Sequence, residues 1–171
     1  THAPPWRVWL LTAAALAAVT VWMFHGALRN GWRFDDGAHM LTATRFEPWE
    51  YFFLPSITNR QSMAGHVTPW NAFFYDVNLR LFGFSTAGYY AHQMAVLWLT
   101  SIASVALLRR WTGLILAVFG AILFLIGAPT SHVANSLMTG HYAAGLLFSV
   151  CGMLGFVRCV ERKAIAYALG G

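Results

Sequence analysis

The composition of this chain of 171 residues excludes an ordinary soluble domain. Hydrophobic residues make up 58% of the sequence and charged residues only 10%, whereas charged residues are about a quarter of a typical soluble domain. The mean hydropathy of +0.54 agrees with this difference. We therefore predict an all-α, polytopic membrane protein with about four transmembrane helices, and treat residues 1–171 as a single membrane domain.

Four apolar stretches are the predicted spans, at about 8–28, 88–108, 113–128 and 141–158. The first is long enough to cross a hydrocarbon core of about 30 Å as a helix, and we favour an uncleaved anchor over a secretory signal. The third is short for a full crossing. It needs local thinning of the bilayer, or it continues past Pro129 in an irregular form.

If the four stretches cross the membrane one after another, the charged residues between them lie on two sides of it. One side carries the whole net charge of +5 on Arg7, Arg109, Arg110, Arg158, Arg162 and Lys163, with the acid Glu161. The other side is neutral, with Arg29, Arg33, Arg45, Arg60 and Arg80 against Asp35, Asp36, Glu47, Glu50 and Asp76. Short basic loops stay cytoplasmic. This predicts a bacterial inner (cytoplasmic) membrane protein with both termini cytoplasmic and a long periplasmic loop.

The long outer loop, about 29–87, is rich in aromatic residues and contains a predicted amphipathic helix at about 69–82. Thr68 is a suitable N-cap, Pro69 suits the first helical position, and Gly83 can end the helix. An apolar stripe at helical spacing comprises Trp70, Phe73, Phe74, Val77 and Leu81, with Asn71, Asp76, Asn78 and Arg80 on other faces. The stripe predicts an interfacial helix, although a helix packed beneath the spans would show the same pattern.

Two adjacent carboxylates, Asp35 and Asp36, follow the first span. Because they repel each other, they need a cation, hydrogen-bond donors or a raised pKa. A hard divalent metal, with His39 as a further ligand, or a general base would suit them. In the simpler alternative, one of the two caps a short helix and pairs with Arg33 or Arg29.

Histidines also collect on the predicted outer side, and His92 and His141 begin spans there. Imidazoles in such positions could ligate a transition metal, haem or chlorophyll magnesium, or bond a quinone oxygen. We therefore name His92 and His141 as candidate cofactor-binding residues, and a divalent metal, a lipid or a pigment as candidate ligands. Hydrogen bonds to headgroups, water or backbone are the simpler alternative.

Five segments follow one another along the chain, at 34–39 (FDDGAH), 66–70 (HVTPW), 78–84 (NLRLFGF), 89–92 (YYAH) and 128–133 (APTSHV). In this order they resemble the start of polytopic C-type glycosyltransferases, closest to the protein O-mannosyltransferase-like group that uses polyprenyl-phosphate sugars. The resemblance implies that the acidic motif of the first outer loop is catalytic, binding metal or activating the acceptor. Those roles would fall on Asp35 and Asp36.

Two departures from that family's pattern count against catalysis. Thr68 stands where such enzymes commonly carry an arginine that can grip phosphate, and a hydroxyl cannot replace a guanidinium there. The family also has about a dozen spans and usually a further domain. These departures favour a non-catalytic accessory or scaffold subunit of a larger inner-membrane complex, respiratory or photosynthetic, built on a glycosyltransferase-like helical module.

The partners expected for such a subunit are membrane lipids and other membrane subunits. Nucleic acid is not expected, because the basic residues are juxtamembrane and suit anionic headgroups. The alternative function is the N-terminal portion of a polyprenyl-phosphate-dependent glycosyltransferase. A reading frame that continues with eight or so more spans would favour the enzyme, and one that stops near Gly171 would favour the accessory subunit.

Overall fold

A computed structural model describes residues 5–33, 35–57 and 69–161, and these residues form helices and connecting turns without a strand. The all-helical prediction is therefore confirmed for this part of the chain. The main helices are α1 (Pro5–Phe24), α2 (Asp36–Ala43), α3 (Glu50–Phe53), α4 (Pro69–Phe82), α5 (Thr86–Leu108), α6 (Leu114–Ile126), α7 (Ala128–Ala134) and α8 (Gly140–Glu161). Short 3-10 helices, His25–Arg29 and Leu137–Thr139, extend α1 and precede α8.

Three continuous helical segments of the described chain are long and apolar enough to cross a membrane. They are Trp6–Arg29, Thr86–Leu108 and Leu137–Glu161. Helices α6 and α7 pass the same test together but are bent by 59°, so they form a fourth candidate if they act as one broken span. The chain is thus a helical membrane protein with three or four candidate spans.

The third predicted stretch continues past Pro129, with a bend between α6 and α7. The backbone of Gly127 is extended, with φ −64° and ψ 142°, which interrupts the helix. A new helix then begins at once, because Pro129 occupies one of its first two positions, where a missing N–H costs no intrahelical bond. The Thr130 hydroxyl donates to the Phe124 carbonyl at 2.6 Å and bridges the break.

Helix α5 is the centre of the bundle and packs against α1, α6 and α8. Its contact with α1 includes one long-range hydrogen bond, from the Trp98 indole N–H to the Ala13 carbonyl at 2.9 Å. The core around it contains Leu16, Phe24, Leu97, Val105, Ala117, Ala121 and Leu125. The alanines of α6 let the backbones of α5 and α6 approach closely, as in other membrane helix pairs.

Residues that the charge pattern assigns to one side lie together at one end of this bundle. The Arg109 guanidinium lies 5.1 Å from the centre of the Trp9 ring, and Arg110 pairs with Glu161 at 2.6 Å. At the opposite end, the Asn30 amide donates to the Asn135 side-chain oxygen at 3.3 Å. The basic end and the end that carries the acidic pair are therefore distinct.

The amphipathic helix is present as α4, and its ends follow the local signals. Pro69 is its first residue, whereas Thr68 lies outside the described residues. At the other end Gly83 has φ +57°, a conformation that favours glycine, and its N–H donates to the Leu79 carbonyl at 2.9 Å. The helix packs against α2, α5 and α8, and its polar residues Asn71, Asp76 and Asn78 are at most 1% exposed.

Candidate functional site

The first buried polar cluster holds the carboxylate of Asp36, the first residue of α2. This side chain is only 1% exposed. The Tyr75 hydroxyl donates to its Oδ1 at 2.5 Å and the Arg33 backbone N–H donates to its Oδ2 at 2.6 Å. The Arg33 guanidinium instead donates to Asn30 at 2.8 Å. Hydrogen-bond donors rather than the Arg33 guanidinium therefore hold this buried carboxylate.

Asp35, the neighbour of Asp36, lies in a different environment. Its side chain is exposed and makes no capping hydrogen bond, while its backbone carbonyl accepts the N–H groups of Ala38 and His39 at 2.9 and 3.1 Å. The expected conflict between two adjacent carboxylates is thus resolved by separation. One carboxylate is buried and held by donors, and the other is open to the surroundings.

His39 completes the first cluster from the next turn of α2. Its ring stacks on Tyr75 with centroids 5.0 Å apart, and its Nε2 lies 3.1 Å from the Asn71 amide nitrogen. Burial lowers the pKa of His39, although Asp35 and Asp36 partly oppose this change. Burial and the hydrogen bond to Asp36 raise the pKa of Tyr75, so its hydroxyl remains a donor. The cluster therefore places a neutral imidazole beside a buried carboxylate.

We expect this imidazole to make stability depend on pH. Below the ordinary histidine pKa of 6.5, the unfolded chain gains a proton at His39 that the folded chain does not, so stability falls as pH falls. The melting temperature should be lower at about pH 5 than at about pH 7.5. The drop should be smaller in His39→Gln and unchanged in His25→Gln, which alters an exposed ring. An equal drop in both variants would contradict the prediction.

The structure does not group the predicted metal ligands Asp35, Asp36 and His39 into a complete coordination shell. Within residues 5–33, 35–57 and 69–161, no set of three or more His, Cys, Asp or Glu side chains is placed to hold a metal ion. The metal site therefore stays a prediction. A hard cation at Asp35 would take its remaining ligands from substrate or water, as magnesium commonly does.

The second polar cluster joins α4 to the segment before α3. The Arg80 guanidinium donates to Asp76 at 2.7 Å and to Glu47 at 2.8 Å. The Tyr51 hydroxyl lies 3.3 Å from the second oxygen of Asp76. These hydrogen bonds raise the pKa of Arg80, and burial together with Asp76 raises the pKa of Tyr51. The buried Asp76 is thus paired, and it anchors the loop that surrounds the first cluster.

The third cluster borders a cavity of about 250 Å³ between α4, α5 and α8. The His92 ring stacks on Phe74 with centroids 4.9 Å apart, and its Nδ1 lies 2.9 Å from Asn78 Oδ1. The lining residues are Trp70, Phe73, Phe74, Val77, His92, Gln93, Val96, Leu99, Gly140, Ala144, Leu147 and Phe148. The cavity is therefore apolar apart from His92 and Gln93.

Gln93 links α5 to the turn between α7 and α8. Its amide nitrogen donates to the carbonyls of Val133 and Ser136, the latter at 3.0 Å. Its side-chain oxygen, Oε1, has no hydrogen-bond partner among the described residues, although the side chain is 0% exposed. A buried amide oxygen of this kind marks a place where a ligand donor could bind.

Of the two histidines predicted to bind a cofactor, His92 lines the cavity. His141 lies in the first turn of α8 beside the Tyr142 ring, with centroids 4.0 Å apart, and its neighbour Gly140 forms part of the lining instead. The structure thus assigns the two histidines to different surroundings. Their role toward a haem, a pigment or a quinone stays a prediction.

Sequence reasoning missed Tyr75, Asn71, Asn78 and Gln93 as partners in these clusters. A signal was present for three of them, because residues 71, 75 and 78 recur at the spacing of one helical face. Gln93 is an amide inside an apolar span, which is itself a reason to look for a function. Comparison of the chain with protein-family models, with curated proteins and with solved structures gave no match.

Proposed function

We propose that this chain carries the acidic site of a polyprenyl-phosphate-dependent membrane glycosyltransferase of the C type. The observation that carries the proposal is the division of the acidic pair, with Asp36 buried between Tyr75 and the Arg33 N–H and Asp35 exposed beside it. A site built to hold one carboxylate rigidly and leave its neighbour open suits chemistry better than packing alone. The resemblance of segment 34–39 to the acidic motif of these enzymes agrees with this function.

In this proposal Asp35 is the catalytic residue and Asp36 is a positioning residue. Asp35 takes the proton of an acceptor hydroxyl as the acceptor oxygen bonds to the sugar C1. The bond from C1 to the phosphate oxygen breaks, and polyprenyl phosphate leaves with the bonding electrons. Asp36 cannot serve as this base, because both of its oxygens already accept hydrogen bonds inside the fold. It fixes the start of α2 and thereby the position of Asp35.

The proposed location is the bacterial inner membrane, with the acidic pair on the periplasmic side. The support comes from the bundle end that brings Trp9, Arg109, Arg110 and Glu161 together. Basic residues at one end of a short-looped bundle favour a cytoplasmic position for that end. The helix α4 would then lie near the outer surface of the bilayer, beside the acidic site that it supports.

The proposal is tested by replacing Asp35 in the full-length protein. Membranes that contain the Asp35→Asn variant should transfer radiolabelled mannose or glucose from polyprenyl phosphate at least about a hundredfold more slowly than wild type, because a general base is lost. Glu47→Gln, which alters another exposed carboxylate of the outer segment, is the matched control and should keep most of the activity. Unchanged transfer by Asp35→Asn, at wild-type protein levels, would reject the catalytic role.

A labelling experiment checks the proposed side of the membrane. In a background with Cys151 and Cys159 replaced by serine, Asp35→Cys should react with a membrane-impermeant maleimide in intact spheroplasts. Thr112→Cys, exposed at the opposite end of the bundle, should react only after lysis. The reverse pattern would contradict the proposed orientation.

The second candidate function is the non-catalytic accessory or scaffold subunit, and the surface of α8 favours it. A Cβ atom built on Gly145, Gly152 or Gly155 would meet no other group within 4 Å. Small residues with free space beside them let a further membrane helix approach closely. Under this function Asp35→Asn would leave the host complex intact and active. Purification of the native assembly would then show other membrane subunits bound in fixed proportion.

A further inference from the structure

We propose that the cavity between α4, α5 and α8 binds a membrane-soluble molecule with an apolar body and a hydroxyl group, a phenol or an alcohol, whose hydroxyl donates to Gln93 Oε1. The cavity and its polar groups are separate from Asp35, so this inference does not depend on the proposed transfer reaction. It rests on the orientation of two side-chain amides, on one histidine tautomer and on the lining of the cavity.

The orientation of the Gln93 amide follows from its two neighbours. Val133 and Ser136 both offer carbonyl oxygens, which only accept hydrogen bonds, so the amide nitrogen must face them. Oε1 therefore points away from both and is buried without a partner among the described residues. Gly140 makes room for Oε1, since a Cβ atom at that position would lie only 3.0 Å from this oxygen. Gln93 and Gly140 both line the cavity, so the unpaired acceptor lies within its wall.

The same reasoning fixes the tautomer of His92. The Asn78 amide nitrogen donates to the Phe74 carbonyl at 2.7 Å, so Asn78 Oδ1 faces the imidazole. In the neutral ring, Nδ1 must then carry the hydrogen, and Nε2 is left as an acceptor. Nε2 has no hydrogen bond within the described part of the chain.

Both polar side chains at the cavity therefore offer acceptors. A hydroxyl satisfies an acceptor, whereas a quinone carbonyl or an ether oxygen would place two acceptors against each other. This favours a hydroxyl-bearing ligand and disfavours the quinone oxygen that the sequence alone suggested for His92. A ligand with a hydroxyl should bind more tightly than one without it, because a ligand that lacks the donor leaves the buried acceptor unpaired.

The rest of the lining selects the apolar body of the ligand. The rings of Trp70, Phe73 and Phe148 form one wall, with Trp70 and Phe148 edge to face at 4.8 Å. The volume of about 250 Å³ lies just below the range of about 300–1,000 Å³ for typical ligand pockets, so one ring or a short chain fits. Leu99 lines the cavity and is 44% exposed on the outer face of α5, which gives the ligand a route from the bilayer.

The inference is tested with two probes, of which one carries a hydroxyl that can donate a hydrogen bond and the other carries a methyl ether in its place. The purified chain in lipid nanodiscs is titrated calorimetrically with 4-hexylphenol and with its methyl ether, and empty nanodiscs correct for partitioning. We expect saturable binding with about tenfold higher affinity for the phenol, which corresponds to one hydrogen bond to a buried acceptor. Equal affinities would overturn the role of the hydroxyl, and the absence of saturable binding would overturn the site.

Substitutions in the lining, with one control outside it, test whether the probes bind in this cavity. Ala144→Leu fills the cavity and should weaken binding of both probes at least about tenfold, whereas Ser149→Leu, on the exposed side of the same helix, should bind both as wild type does. If Ala144→Leu fails to fold, Val77→Trp fills the cavity from α4 instead. Gly140→Ala places a methyl group against Oε1 and keeps the hydrogen bonds of the Gln93 amide nitrogen, so it should still bind both probes but lose the preference for the phenol. A preference that survives in Gly140→Ala would overturn the assignment of the hydroxyl to Oε1.

Discussion

Replacement of Asp36 by alanine is expected to lower the free energy of unfolding by about 3 kcal/mol, because the buried Tyr75 hydroxyl and the partly buried Arg33 N–H lose their acceptor. The Tyr75 hydroxyl, 2.5 Å from Asp36 in the folded chain, and the Arg33 N–H would be left without a partner. Such a loss removes a large share of the stability of a typical domain. The measurement is reversible unfolding in mixed detergent micelles, followed by circular dichroism.

The adjacent Asp35 offers the matched control for this prediction. Asp35→Ala removes an exposed carboxylate and should change the free energy of unfolding by no more than about 0.5 kcal/mol. Tyr75→Phe should cost about 1.5 kcal/mol, and the double variant should cost less than the sum, because both changes remove the same hydrogen bond. Equal effects of Asp35→Ala and Asp36→Ala would show that the carboxylate is not held as described.

This pair of substitutions also separates the two proposed roles. A positioning residue should affect stability and activity together, whereas the catalytic residue should affect activity alone. If Asp35→Asn lowers transfer at unchanged stability while Asp36→Ala lowers both, the division of labour within the acidic pair is supported. If both variants lose only stability, the accessory function becomes the better account of the cluster.

The ends of α4 could be predicted from the sequence because they depend on local chemistry. Proline fixes φ and needs no N–H at a helix start, and Gly83 adopts a left-handed conformation that few other residues tolerate. The candidate spans could be predicted equally well, because length and composition alone decide whether a helix can cross a bilayer. Neither prediction required knowledge of tertiary contacts.

The environment of the acidic pair could not be predicted in the same way. Neighbouring residues on a helix point about 100° apart, so Asp35 and Asp36 were expected to have different surroundings, but the sequence does not say which of them faces inward. The choice depends on Tyr75, 39 residues further along the chain. Helix α2 has only eight residues, too few to be stable alone, and it depends on the same contact.

The orientation of α4 was the least predictable feature of the site. Its apolar stripe suited both a helix that lies along the membrane surface and a helix packed beneath the spans, and the sequence did not decide between them. In the structure Asn71, Asp76 and Asn78 face α2, α3 and α5, and each has a hydrogen-bond partner there. Polar residues at helical spacing can line a buried network as well as a surface, and only tertiary contacts distinguish the two cases.

Replacement of Gln93 by leucine is expected to lower the free energy of unfolding by about 2 kcal/mol, the second large effect, because two hydrogen bonds from α5 to other elements are lost. Val133 lies near the end of α7 and Ser136 just after it, and each carbonyl keeps a local donor, from the Ser136 N–H and from Thr139 respectively. In a membrane interior, water cannot readily replace the lost amide. The change should also loosen the turn between α7 and α8, which faster hydrogen exchange at Ser136 and Leu137 would report.

The control for Gln93→Leu is Ser101→Ala, two helical turns further along α5 and equally buried. The Ser101 hydroxyl donates at 2.7 Å to the Trp98 carbonyl of its own helix, so its loss frees no group from another element. We therefore expect a cost below about 1 kcal/mol and unchanged hydrogen exchange near α8. A cost for Gln93→Leu as small as that for Ser101→Ala would mean that the amide does not hold α7 and α8 to α5. The packing of Ala134 and Leu137, both buried, would then have to hold that turn without the amide.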